Sequence, residues 1–153
     1  MSYSVCRVDW QHAAPLLKNV REKVFVCEWR IPKRIEFDRH DKTAFHILVC
    51  DDKSQEPIAT GRIKPSGEIS RIAVLINYRH LDIDTIVIQG LIQVANELEL
   101  TEVFINAPLD DVTRYQQRKF SPQGGVYMEA GIPFQKMACS LKQLNANAQF
   151  LSH

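Results

Sequence analysis

The chain has 153 residues, with 19 Lys+Arg against 18 Asp+Glu, for a formal net charge of +1. That balance argues against the strongly basic surface of a duplex nucleic-acid binder and against a polybasic membrane patch. A hydrophobic fraction of 45% with 24% charged residues describes a folded globular chain, and this length fits one domain, 1–153, whose last dozen residues, 142–153, read as a weakly ordered tail.

No run approaches 18 apolar residues, so no membrane span is expected. The N-terminus MSYSVCRVDW lacks the basic start and apolar run of a signal peptide, so a cytoplasmic location is the default expectation. Cys6, Cys27, Cys50 and Cys139 form no C-x-x-C pair and read as reduced, mostly buried thiols. The five histidines show no ligand spacing, so no metal is expected.

Tyr3 to Val8 reads as a strand. Asp9 is a cap for a helix from about His12 to Glu28, with Pro15 in its first turn and Leu16, Leu17, Val20 and Val24 at helical spacing. The charged stretch Lys33 to Thr43 is a loop or short helix. Ala44 to Cys50 and Pro57 to Ile63 form a hairpin, and Glu68 to Leu75 a third strand. Ile88, Leu91, Ile92, Ala95 and Leu98 mark a helix from about Thr85 to Leu100. Val103 to Ala107 is a short strand, and Asp110 and Asp111 cap a helix through about Phe120. Gly124 to Glu129 and Phe134 to Leu141 are the last strands. The fold class is therefore α/β, an α+β mixed sheet in the order β-α-β-β-β-α-β-α-β-β. A meander feeding a β-α-β unit leaves a break where ligands bind.

Five stretches carry a family resemblance. They are VREKVFVCEWRIPKRIEFD (Val20 to Asp38), the Asp41 to Leu48 segment with His46 before an apolar strand, IATGRI (Ile58 to Ile63), RIAVLINYR (Arg71 to Arg79) and MEAGIPFQKM (Met128 to Met137). With the element order they resemble the GNAT superfamily of acyl-CoA N-acyltransferases, in its ElaA-like and YjcF-like branch. The resemblance implies a GNAT fold, acetyl-CoA or another acyl-CoA as co-substrate, and a small amine or amino-terminal group as acceptor. Charge, hydropathy and histidine spacing give no expectation of a nucleic-acid, membrane or metal partner, and the resemblance allows a homodimer.

The resemblance also assigns roles. Ile72, Ala73 and Val74 would present backbone groups to the pantetheine arm. Arg79, His80, Leu81, Asp82, Ile83, Asp84 and Thr85 would form the phosphate turn and helix start, and Asn106 would also contact the cofactor. Tyr115 would protonate the departing thiolate. Glu28 and His46 are candidate bases in an acidic stretch with Glu36, Asp38, His40 and Asp41, which reads either as a rim attracting an amine or as a solvated loop. Where some relatives carry a strand glutamate, this chain has Ser70.

The departures are specific. The family turn reads R/Q-x-x-G-x-G/A, and here both small positions are aspartates, Asp82 and Asp84. Either would bring negative charge to a phosphate, or cap the following helix with its own carboxylate and fill the site. The alternative function is then a GNAT-fold binding or regulatory protein with weakened CoA binding. Lys119 stands where relatives have glycine, and Phe134 where the branch carries histidine. A remoter reading is an acyl-homoserine-lactone synthase, whose N-terminal half Arg21, Phe25, Trp29, Glu36, Asp38, Asp41 and Arg62 faintly resemble in spacing.

Overall fold

A computed structural model of the chain describes residues 2–145. Among the described residues the fold is mixed α/β with seven strands, and the chain divides into two compact units, Met1–Val94 and Ala95–His153.

In the first unit, β1 (Tyr3–Val8), β2 (Phe45–Asp51), β3 (Pro57–Ile63) and β4 (Glu68–Val74) pair in chain order, each antiparallel to the next. Helix α1 (Trp10–Arg21) starts two residues before the expected His12, directly after its cap: the Asp9 carboxylate accepts the His12 N–H at 2.8 Å. Pro15 therefore lies inside the helix and not in its first turn. The expected continuation to Glu28 is present, but Glu22–Glu28 is wound as a π-helix. The Trp29 N–H reaches back five residues to Val24 C=O, and Arg30 (φ 60°) turns the chain out. The charged stretch after Pro32 forms α2 (Lys33–Glu36) and a 3-10 turn at Arg39–Lys42, closed by an Asp38 and Asp41 capping box.

Strand alternation sets the faces. Leu48 packs with Ala13 and Leu17 of α1. Its neighbour Ile47 meets Gly90 of α3 (Ile83–Glu97), so α1 and α3 cover opposite faces of β1–β4. Gly61 makes the second approach possible: a Cβ there would stand 2.6 Å from Val87 Cγ1 and 3.1 Å from Leu91 Cδ1. Opposite Gly61, β4 carries a bulge. Thr60 pairs Ala73 while Arg62 pairs Ser70, so β4 holds one extra residue there, and Arg71 absorbs it with φ 56°.

In the second unit, β5 (Glu102–Pro108) pairs with β7 (Ile132–Ser140), and β7 with β6 (Ser121–Glu129), all antiparallel. A 3-10 turn at Leu109–Asp111 leads into α4 (Val112–Gln117), which is shorter than the capping aspartates predict. The reason is Lys119, with φ 75°: the chain leaves the helix there, and the Phe120 N–H returns to Tyr115 C=O at 3.0 Å. Residues 141–145 are helical where the end of the last strand at Leu141 and the start of a loose tail at 142 are expected, and the remainder of that tail lies outside the described residues.

The four cysteines are free, as expected, yet only Cys139 is buried and Cys50 half-buried. Cys6 and Cys27 are exposed because they fall on outward positions of the outer strand β1 and of the π-helix.

Candidate functional site

The acidic stretch before β2 is neither an open rim nor a solvated loop. Glu36 and Asp41 are 2% and 1% exposed, and they meet buried arginines from α1 and β3. Arg21 donates Nε to Glu36 Oε2 (2.8 Å), Nη1 to Asp41 Oδ1 (2.6 Å) and Nη2 to Glu36 C=O (2.7 Å). Arg62 donates Nη1 and Nη2 to Asp38 (2.8 and 2.9 Å), Nη1 also to Asp41 (2.9 Å), and Nε to Ser70 Oγ (3.0 Å). Arg71, turned inward by the bulge, pairs with Glu36 and Asp38 at 3.2 and 3.3 Å. Three guanidiniums thus face three carboxylates, and the charge closes on itself. Burial raises the Glu36 carboxyl despite Arg71 and Arg21. At Asp38 burial pulls the same way, but the Arg62 hydrogen bonds and charge win and hold it far below the usual carboxylate range.

His46 seals this cluster. It is 1% exposed, its Nε2 lies 2.9 Å from Asp41 C=O, and its ring packs on Trp10 at 5.6 Å. Burial holds its pKa below the ordinary histidine value. An imidazole engaged and enclosed in this way packs the cluster and is screened from an acceptor.

The second group lies at the end of β4. Leu75 N–H donates to Ile58 C=O of β3 at 2.9 Å. In a trans peptide the Val74 C=O must then point the other way, along the edge of β4 that faces away from β3. That carbonyl accepts Arg79 Nε at 2.9 Å. The same guanidinium holds Glu28 with both terminal nitrogens, at 2.6 and 2.7 Å. Arg79 lowers the Glu28 pKa through these hydrogen bonds, which makes Glu28 a weaker base. Glu28 also borders a cavity of about 280 Å³ with a floor of Val24 and Leu75 and a rim of Asn77 and Tyr78.

Between β4 and α3 the chain makes a 3-10 helix, Ile76–Leu81, ending at Asp82. Asp82 has φ 53° and ψ 32°, the left-handed conformation that favours glycine and that aspartate tolerates better than most residues. Backbone closes the turn: Asp82 C=O accepts the Thr85 N–H at 3.1 Å, while the Asp82 side chain is exposed. Ile83 is fully buried and anchors the start of the 15-residue α3. Asp84 is half-buried, Leu81 half-buried and His80 exposed.

A sequence model of the acetyltransferase (GNAT) domain matches residues 22–141. The chain belongs to the GNAT acetyltransferase family. Among its relatives is the uncharacterized N-acetyltransferase YjcF of Bacillus subtilis, 29% identical over 122 residues, covering 77% of this chain and 86% of YjcF. The fold is that of Escherichia coli ElaA (TM-score 0.78, 23% identity, 90% of this chain and 99% of ElaA). It is also that of an acyl-CoA N-acyltransferase from Pseudomonas aeruginosa (TM-score 0.80, 23% identity, 90% and 99%). The chain is thus similar to YjcF in sequence and to ElaA in fold.

The remaining GNAT-implied residues stand as follows. Ile72, Ala73 and Val74 are the three residues of β4 just past the bulge. Tyr115 lies in α4 of the second unit, 5% exposed, edge-on to Phe120 at 5.8 Å and with the Arg118 guanidinium 5.8 Å from its ring. Asn106 is a half-buried residue of β5 opposite Lys136. Phe134, where the branch carries histidine, stacks on Tyr127 at 5.9 Å. The sequence reading missed Arg71 and undervalued Arg21 and Arg62. An arginine on the buried side of a helix, four residues before Phe25, was the available signal.

Proposed function

We propose that the chain is an acyl-CoA-dependent N-acyltransferase that passes an acetyl or other acyl group to a small amine or amino group. The observation that carries this reading is the connection from β4 to α3. The glycine position of the family turn keeps a left-handed backbone although it is Asp82, so the helix start behind it is oriented as a glycine would orient it. A helix N-terminus offers unpaired N–H groups and a favourable dipole to phosphate. The edge of β4 beyond the bulge carries the Val74 carbonyl, a backbone acceptor of the kind that pairs with an amide N–H of a pantetheine arm. The residues therefore fit an acyl-CoA in backbone geometry, while Asp82 and Asp84 oppose it in charge.

Acyl-CoA, when bound, supplies a thioester carbonyl for attack by the amine. The chain's own part is to hold the arm along Ile72, Ala73 and Val74 and to hold phosphate at residues 79–85; the family resemblance assigns the proton for the leaving sulfur to Tyr115. Neither expected base suits the work. His46 is enclosed with its Nε2 engaged, and Glu28 is held as a carboxylate by Arg79. The acceptor amine is then taken up in its neutral form, and its proton leaves through water.

A second reading, a GNAT-fold binding or regulatory protein with weakened CoA binding, is favoured by one specific observation. The turn's own arginine, Arg79, is already matched by Glu28, and the two aspartates add two negative charges. Following free thiol release from acetyl-CoA across a panel of primary amines separates the readings. Release that depends on the amine supports the transferase. Saturable CoA binding with no release from any amine supports the binding protein.

A further inference from the structure

The Glu28–Arg79 pair joins two parts of the first unit that lie 51 residues apart in sequence: the last residue of the π-helix and the segment after β4. Three facts define it. The contact is bidentate, and a guanidinium fork accepts a carboxylate and a phosphate with the same geometry. Arg79 is simultaneously bonded to the Val74 carbonyl, on the β4 edge that points away from β3. Both side chains are partly solvated, 39% and 34% exposed, so the pair is screened and exchange of one anion for another costs little. Glu28 also has space to move into, because it borders the cavity floored by Val24 and Leu75.

We propose that Glu28 sets the affinity of the acyl-CoA site by occupying Arg79 in the ligand-free chain. Its carboxylate fills the fork that a phosphate takes on binding, and the same exchange draws Arg79 off Val74 and frees that carbonyl for an amide N–H of the arm. One movement thus opens both the phosphate ligand and the strand edge. Glu28 is then a positioning residue, and its role as a proton acceptor falls away. The inference rests on the acyl-CoA reading above.

Calorimetric titration tests it, with CoA and with pantetheine, which has the same arm and no phosphate. Glu28→Gln keeps the shape and removes the competing charge, and it should bind CoA about fivefold tighter than wild type. Glu28→Asp, with a retracted carboxylate, should fall between. Arg79→Gln should weaken CoA binding, and Glu28→Gln in that background should give no gain. The gain should be confined to CoA. If wild type binds CoA and Glu28→Gln binds it no tighter, the exchange is wrong while the acyl-CoA reading stands. An equal gain for pantetheine overturns the phosphate exchange in the same way. If no variant binds CoA at millimolar concentration, both readings fail. Binding by Glu28→Gln where wild type shows none supports the inference in its strongest form.

Discussion

Arg79 reaches the Val74 carbonyl and the Glu28 carboxylate at once, so the residue expected to meet a phosphate is engaged at the very strand edge expected to meet the arm. This ties the two halves of the proposed site together. It also explains why a glutamate that reads as a base in sequence behaves as a counter-ion in the fold.

The turn residues give the first prediction. A left-handed non-glycine residue carries about 1–2 kcal/mol of strain, partly offset by the greater freedom glycine has when unfolded. Asp82→Gly relieves that strain and removes a negative charge from the proposed phosphate turn. Lys119→Gly relieves the same strain at the end of α4. Each should gain about 0.5–1 kcal/mol, a rise in melting temperature of a few degrees. Only Asp82→Gly should also tighten CoA binding. A fall in melting temperature for both would contradict the left-handed assignments.

The buried ionic cluster gives the second. Replacing Arg21 with Met leaves Glu36 and Asp41 without their main partner in the interior. Breaking one side of such a pair costs about 3–5 kcal/mol. Urea unfolding of Arg21→Met should show that loss, and a change under 1 kcal/mol would contradict a buried cluster.

Packing of α3 gives the third. Gly61→Ala puts a methyl 2.6 Å from Val87 Cγ1, so the helix or the Val87 rotamer must shift. Overpacking of this kind costs about 1–3 kcal/mol. Gly61→Ala with Val87→Ala should recover much of it, and the double-mutant cycle measures the coupling.

The fourth concerns pH. Burial lowers the His46 pKa in the fold, so the native state resists a proton that the unfolded chain accepts. Such a group contributes stability above the unfolded value near 6.5, and the contribution is lost as pH falls through the folded value. Melting temperature should therefore decline below about pH 6.5, and His46→Gln, which has no proton to take up, should flatten that part of the decline. An identical slope in both would remove His46 as the cause.

Much of the architecture is readable from residue spacing. The β2–β3 hairpin, the apolar stripe of α3 and the Asp9 cap are local patterns, and each appears close to its expected place. The site is less readable, because its decisive features are long-range. Arg21, Glu36, Asp41 and Arg62 are charged residues, which composition assigns to the surface, and only folding shows them neutralising one another. The residues that faintly resembled a lactone synthase belong largely to this cluster, so a structural role accounts for their spacing. Asp82 and Lys119 mislead in another way. They break a glycine motif in sequence, yet the backbone keeps the conformation the glycines would have had.

The most direct measurement is a calorimetric titration of the wild-type chain with acetyl-CoA. The proposal requires saturable binding, weakened by Arg79→Gln and strengthened by Asp82→Gly. No heat at millimolar acetyl-CoA, for wild type and Asp82→Gly alike, would contradict it.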